Sequence, residues 1–224
     1  KCIFLESPSN PTMEIIDIKT VSKIAHQFNV LVIVDNIFAS PVLQKPMDLG
    51  ADIVVYSGTK HIDGQGRSIG GAILSSKKHY EEYIKPFMRH TGPTLSPFNA
   101  WILLKGLETL EHRMNQHCEN ALKVANYLSQ HPNIEKTIYP SLKQHPQYAL
   151  AKKQMLKGGS IVTFNIKKNN AFKFMNALKL FDISNNLGDT KSLATHPATT
   201  THRVIGEEVR KKLNIPDNMI RLSI

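Results

Sequence analysis

The sequence predicts an α/β fold, a mostly parallel sheet followed by a smaller α+β unit. Three observations predict it. Residues 30–36 (VLVIVDN) are a near-continuous apolar run, the pattern of a strand covered on both faces. Between that run and the apolar CIFLE at 2–6, residues 17–28 repeat hydrophobic side chains at helical spacing, which makes a strand–helix–strand unit. Farther on, SIVTFNI (160–166) and MIRLSI (219–224) alternate as half-buried strands do, with helical segments between them.

Each element follows from local chemistry. Residues 2–6 are expected to form a short buried strand, and SPSNP (7–11) a loop broken by Pro8 and Pro11. The 17–28 helix aligns Ile18, Val21, Ile24, Ala25 and Phe28, with Asp17 as its N-cap. The next strand ends in Asp35, and a right-handed crossover is expected between the two strands. A loop with a short turn (37–50) leads to a strand at 52–56, and IGGAIL (69–74) reads as one more. Residues 78–89 read as helix and HTGPTLSPF (90–98) as loop. From about 97 to 130 the pattern is helical, with Trp101, Leu104, Leu107 and Leu110 as one core-packing face and Ala121, Val124, Ala125 and Leu128 as another. A boundary within this region, near 106–115, divides the chain into an α/β part (1–106) and an α+β part (107–224) with antiparallel strands. In the second part, 169–179 and 204–213 read as helices, 180–186 as a strand, and KGG (157–159) and KKNN (167–170) as turns.

Composition excludes several classes. The chain has 224 residues, 41% hydrophobic and 21% charged, ordinary for a globular protein. No apolar run reaches the roughly 18 residues of a membrane span, and no signal peptide is visible. Net charge is +10, but Lys and Arg are spread along the chain without interleaved aromatics, which argues against nucleic acid. A basic field suits anionic substrates and phosphate-bearing cofactors. Cys2 and Cys118 have no metal-ligand spacing and suggest no disulfide framework, so a reducing cytoplasm is expected and no metal. His112 and His117, five apart, do not share a helical face and read as solvated.

The chemistry concentrates at 53–71, IVVYSGTKHIDGQGRSIGG. A short strand breaks into Ser57-Gly58-Thr59 and delivers Lys60. A lysine that forms a Schiff base with pyridoxal 5′-phosphate (PLP) must spend time as a free amine, and a partly desolvated strand end depresses its pKa. The Ser57 and Thr59 hydroxyls could hold the cofactor phosphate from the same turn. PLP also requires a carboxylate at its pyridine nitrogen, and Asp35 ends the preceding strand where α/β folds bind ligands. Taken singly, Lys60 is one of 28 Lys and Arg residues and Asp35 any strand-end carboxylate; together they are more specific. GQGRSIGG is one residue too long for the dinucleotide fingerprint, and no Walker A pattern is present.

ESPSNPT (6–12), VDNIFASP (34–41), YSGTKHIDGQGRSIGG (56–71) and LGDTKSLATHPATTTH (187–202) resemble the Cys/Met-metabolism family of PLP enzymes, and the likeness runs over essentially the whole chain. GPTLSPFNAWILLKGLETL (92–110) and DISNNLGDTKSLATHPATTTH (182–202) resemble its O-succinylhomoserine sulfhydrylase branch in particular. The resemblance implies a type I (aspartate aminotransferase-like) PLP-dependent transferase fold, with residues 1–106 as the C-terminal half of the cofactor domain. It implies Lys60 as Schiff-base anchor and acid/base, and Asp35, Ser57, Thr59 and Asn10 as cofactor contacts. It also implies Arg221, Asn186, Thr201 and Asn10 around the substrate carboxylate.

Two of those positions have other readings from sequence alone. Sequence alone favours Asn10 as a turn residue before Pro11, and Arg221, alone among apolar neighbours, has the alternative reading of half of a structural ion pair. Asn186 stands where much of the family has Ser, which fits the sulfhydrylase branch and weakens contacts carried over from the lyases. The resemblance further implies trans-sulfuration chemistry on a small amino-acid substrate, most closely replacement of succinate by sulfide on O-succinylhomoserine. The alternatives are cystathionine γ-synthase, cystathionine or methionine γ-lyase activity, or a non-catalytic fragment of such an enzyme.

It implies a homotetramer with active sites shared between subunits. The chain lacks an initiator Met and ends on an alternating strand, so it reads as a fragment of a longer sequence. The family's glycine-rich phosphate turn, ring-stacking Tyr and partner-donated Tyr/Arg pair would lie before position 1. Alone, the chain is expected to show little turnover and to expose an apolar sheet edge.

Overall fold

The computed structural model describes residues 1–167 and 170–224. The first sheet holds β1 (Cys2–Glu6), β2 (Leu31–Asp35), β3 (Ile53–Ser57) and β4 (Gly71–Ser75) in that order. β1, β2 and β3 run parallel, in the register Glu6↔Asp35 and Asp35↔Val55, and β4 turns back antiparallel to β3. The parallel register brings the carboxyl ends of β1, β2 and β3 to one rim of the sheet, and those ends carry Glu6, Asp35 and the Ser57–Lys60 turn.

Helix α1 (Ile18–Gln27) joins β1 to β2, with Asp17 capping it through the Thr20 amide. Its buried line is Ile18, Ser22 and Ala25, while Ile24 and Phe28 are exposed. At 100° per residue those two sit well round the helix from Ile18, so the expected five-residue face is narrower than its spacing suggested. β1 also differs from expectation: Leu5 is its one buried residue, and Phe4 is 61% exposed. β1 is an edge strand, and the sheet face bearing Phe4 and Ile73 is uncovered in this chain.

α2 (Ser40–Leu43) lies in the expected loop, and α3 (Lys77–His79) and α4 (Lys85–Thr91) share one helical stretch across a wider turn at Tyr80–Ile84. The long helical region breaks at Thr109 into α5 (Pro97–Glu108) and α6 (Leu110–Gln130). Its first expected face is mostly outside: Trp101 (55% exposed), Leu104 and Leu107 point to solvent, and Ile102, Leu103 and Gly106 are buried instead. α5 is apolar nearly all round, so periodicity could not choose its inner face. The second face, Ala121, Ala125 and Leu128, is buried as expected. α6 serves two cores: Met114 and Cys118 pack with Val32, Val34 and Val54 of the first sheet, while Ala121 and Ala125 pack with Phe164 and Ile220.

The second sheet comprises β5 (Ile134–Ile138), β6 (Ile161–Ile166), β7 (Asp182–Ile183), β8 (Leu193–Thr195) and β9 (Met219–Ser223), ordered β5-β6-β9-β8-β7. Helices α7 (Tyr148–Gln154), α8 (Ala171–Asn176) and α9 (Gly206–Lys212) connect its strands. β5 and β8 carry no clear alternation and escape a sequence reading. β7 is only two residues long and pairs parallel with β8, so the sheet is not wholly antiparallel. Lys168 and Asn169, within the expected KKNN turn and at the start of the expected 169–179 helix, lie outside the described residues. Among the described residues, no helix is long and apolar enough to cross a membrane.

Candidate active site

The site lies where the strand ends of the first sheet meet β9 and its flanking loops. Lys60 follows β3 in a tight turn whose backbone leaves the helical region at Lys60 itself (φ −94°, ψ −125°). Its Nζ donates to Asn186 Oδ1 at 2.6 Å. Burial lowers the amine pKa from its usual value, and the nearby Arg221 cation lowers it further. A lysine whose pKa is lowered in a partly dry site is suited to covalent capture of a carbonyl, which requires the free amine.

Asp35 ends β2 and accepts a hydrogen bond from the Ile37 amide at 3.1 Å. Burial raises its pKa, against the pull of that amide. A carboxylate made uncomfortable by desolvation is suited to a cationic partner, and a pyridinium is one. Ser57 ends β3, and its hydroxyl caps no helix. Thr59 is partly committed elsewhere: its Oγ accepts from the Gly70 amide at 3.2 Å and faces the Gly70 carbonyl at 3.5 Å.

Arg221 lies on β9, between β6 and β8, and is 1% exposed. Its Nη1 donates to Asn10 Oδ1 at 3.0 Å. Nη2 donates to the backbone oxygens of Asn185 and Asn186 and to Thr195 Oγ, each at 3.0 Å. Nε is buried and, among the described residues, has no partner. Nor does any carboxylate of the described residues form an ion pair with Arg221 within 4.0 Å. Burial lowers its pKa to about 10, against the raising influence of Glu6. Such a guanidinium, oriented by neutral acceptors and left with an unused donor, has the chemistry to receive a carboxylate.

Lys60, Asn10, Asn186 and Arg221 are thus linked by hydrogen bonds into one cluster, with Asp35 and Ser57 at the neighbouring strand ends. Thr201 is not among the partners of Arg221. It is exposed, and its Oγ contacts His202 Nδ1 at 2.8 Å. Thr195 makes the hydroxyl contact instead, because β8 pairs with β9 in the register Thr195↔Arg221.

Four further residues escaped the sequence reading. Glu6 accepts from the Asn10 amide at 2.9 Å, and its pKa is raised to about 7, first by burial and also by Asp35. His202, in the loop before α9, lies beside Asn10 and Arg221, and burial first, then the Arg221 cation, lowers its pKa. His61, next to Lys60, is 2% exposed, with Nδ1 on the Ile37 carbonyl at 3.0 Å and Nε2 on Ser160 Oγ at 2.7 Å. Burial holds its pKa down at about 3. His117 is buried as well, its Nδ1 bonded to the Ile224 carbonyl, which corrects its reading as a solvated helix histidine. No sequence signal separated these four from ordinary polar residues beside a turn or on a helix.

A residue-pattern model described as "Cys/Met metabolism PLP-dependent enzyme" matches residues 1–224. The chain is 49% identical to an O-succinylhomoserine sulfhydrylase of Mycobacterium tuberculosis, over all of this chain and 57% of that protein. It is 42% identical to an L-methionine gamma-lyase of Fusobacterium nucleatum, over all of this chain and 58% of that protein. A solved cystathionine gamma-lyase from Micromonospora echinospora superposes with a TM-score of 0.97 at 34% identity, covering 100% of this chain and 59% of that one. The chain therefore spans rather more than half the length of the relatives it matches.

Proposed function

Because the chain belongs to the Cys/Met metabolism family of PLP-dependent enzymes, we propose that it carries out trans-sulfuration, exchanging succinate for sulfide at Cγ of O-succinylhomoserine to give homocysteine. One observation supports this reading above the rest. Asn186 touches the Lys60 amine through its side chain and the Arg221 guanidinium through its backbone oxygen. An α-amino acid carries its amine and its carboxylate on one carbon, so a nucleophilic amine and a carboxylate receptor joined through one residue match that substrate class.

When bound, PLP supplies an electron sink that labilises bonds at the substrate's Cα. The chain's own residues do the rest. Lys60 would hold the cofactor's carbonyl carbon and, once freed by the substrate amine, carry protons between Cα and Cβ. Asp35 would keep the ring nitrogen protonated. Ser57 and Thr59 would hold the phosphate, and Asn10 the phenolic oxygen. Arg221 would take the substrate α-carboxylate, with Thr195 and Asn10 orienting its nitrogens. Asn186 would aim the Lys60 amine. The assembled enzyme reads as a homotetramer with shared active sites, which light scattering of the cofactor-loaded protein tests.

A γ-elimination is the second reading, favoured by the 42% identity to a methionine gamma-lyase. The experiment is direct. The protein is mixed with PLP, and a visible band lost in Lys60→Ala marks attachment. O-succinyl-L-homoserine is then supplied with and without sulfide. Homocysteine formed only with sulfide supports replacement, 2-oxobutyrate formed without it supports elimination, and no band in folded protein defeats both.

A further inference from the structure

Glu6 has no part in the reaction described above, yet it stands at its centre. It ends β1 in register with Asp35 of β2, and its Oε2 accepts from the Asn10 amide at 2.9 Å. Asn10 Oδ1 in turn accepts from Arg221 Nη1 at 3.0 Å. Glu6 and the guanidinium therefore hold the same residue from two sides, Glu6 through the Asn10 backbone N–H and Arg221 through the Asn10 side-chain oxygen. We propose that Glu6 is a positioning residue of the carboxylate site, and that seating a carboxylate on Arg221 draws a proton from solvent onto Glu6. The proposal rests on the reading of Arg221 given under Proposed function.

The electrostatic reason is simple. With the site empty of substrate, Arg221 favours the ionised form of Glu6, while burial and Asp35 oppose it. An arriving carboxylate neutralises the guanidinium and adds a second negative charge nearby. Both changes disfavour ionised Glu6, so its affinity for a proton rises. Protonated Glu6 loses none of its acceptor capacity toward Asn10, because its second oxygen takes the proton. The charged groups that act on Glu6 are Asp35 on β2 and Arg221 on β9; His202, in the loop before α9, acts on the same guanidinium. Burial and Arg221 hold His202 below the ordinary histidine range, so it is neutral above pH 7 and does not contribute there.

Butyrate is the probe, since it lacks an amine and cannot react with the cofactor. It is titrated calorimetrically into the PLP-loaded protein at pH 7 in phosphate and in Tris, whose ionisation heats differ. Net proton uptake on butyrate binding is expected for the wild type and near zero for Glu6→Gln, which keeps the acceptor for Asn10. Glu6→Asp should restore part of the uptake. Equal uptake in wild type and Glu6→Gln overturns the proposal while leaving Arg221 as the receptor, provided Arg221→Ala abolishes binding. Undiminished binding in Arg221→Ala overturns the carboxylate reading itself. Wild-type affinity supplies an independent reading: it should fall several-fold between pH 7 and 8.5, and a flat profile defeats the proposal even if Glu6→Gln does not fold.

Discussion

The Lys60 amine donates to the Asn186 side-chain oxygen at 2.6 Å across 126 positions of chain. The bond ties the first sheet to the loop that also receives Arg221, and it does so through a neutral acceptor. Neutrality matters, because a carboxylate there would favour the ammonium form that the rest of the site disfavours. Asn186→Asp should raise the pH at which the protein captures PLP by about 1–3 pH units. The midpoint of the visible band against pH checks it, and an unmoved midpoint would show that Asn186 does not tune the amine.

Arg221→Lys keeps the charge and loses the planar fork. The four contacts that Nη1 and Nη2 make with Asn10, Asn185, Asn186 and Thr195 cannot be reproduced by one ammonium. KM for O-succinyl-L-homoserine should rise about 10–100-fold, the value of a charge-assisted hydrogen bond or two. Steady-state kinetics of the two proteins would decide it.

Gly106 lets α5 lie directly on the turn that carries Lys60. A Cβ at this position would overlap the Ile62 carbonyl oxygen, which is backbone and cannot swing away. Gly106→Ala should cost about 1–3 kcal/mol in urea unfolding and weaken PLP capture with it. Loss of stability with cofactor affinity intact would mean the turn tolerates displacement of the helix.

His61 sets an acid limit on stability. Its folded pKa, about 3, lies below the ordinary value of 6.5, so the unfolded chain binds the proton first as pH falls. Stability contributed by neutral His61 is therefore complete above pH 6.5 and is lost progressively down toward pH 3, by up to about 1.4 kcal/mol per pH unit. Glu6 opposes this: with its folded pKa raised to about 7, its contribution is greatest below pH 4.5 and is lost as pH rises through 7. The net slope between pH 4.5 and 6.5 mixes the two, so variants are needed. His61→Gln should flatten the acid limb of denaturation midpoint against pH, and an unchanged limb would place the acid sensitivity at His117 or His145, which burial also shifts downward.

Much of this was legible in the residues. The runs before Asp35 and Lys60 announce buried strands by composition alone, and the residues between them supply the crossover helix. Lys60, Asn186 and Arg221 could be chosen because each is a polar exception in a patterned setting or part of a family-like motif. Glu6 could not, since a carboxylate after an apolar strand and before Ser-Pro looks solvated until the second sheet covers it. Thr195 and Thr201 are alike in sequence; only the β8–β9 register selects Thr195. The exposed side of α5 was misassigned for a related reason: a helix apolar on every side reports that something packs on it, not which side this chain itself covers.

Asn10 and Arg221 meet across 211 positions, and both bonds to Asn186 join segments far apart in the chain. Contacts this distant close late in folding, because the intervening chain must first give up its freedom to wander. The Arg221 cluster, the proposed carboxylate receptor, is therefore absent from any partly folded species that lacks β9 in its sheet. On the proposed reading, a ligand seated there would recognise only the finished molecule, so substrate would stabilise completed chains selectively and leave misassembled ones unprotected.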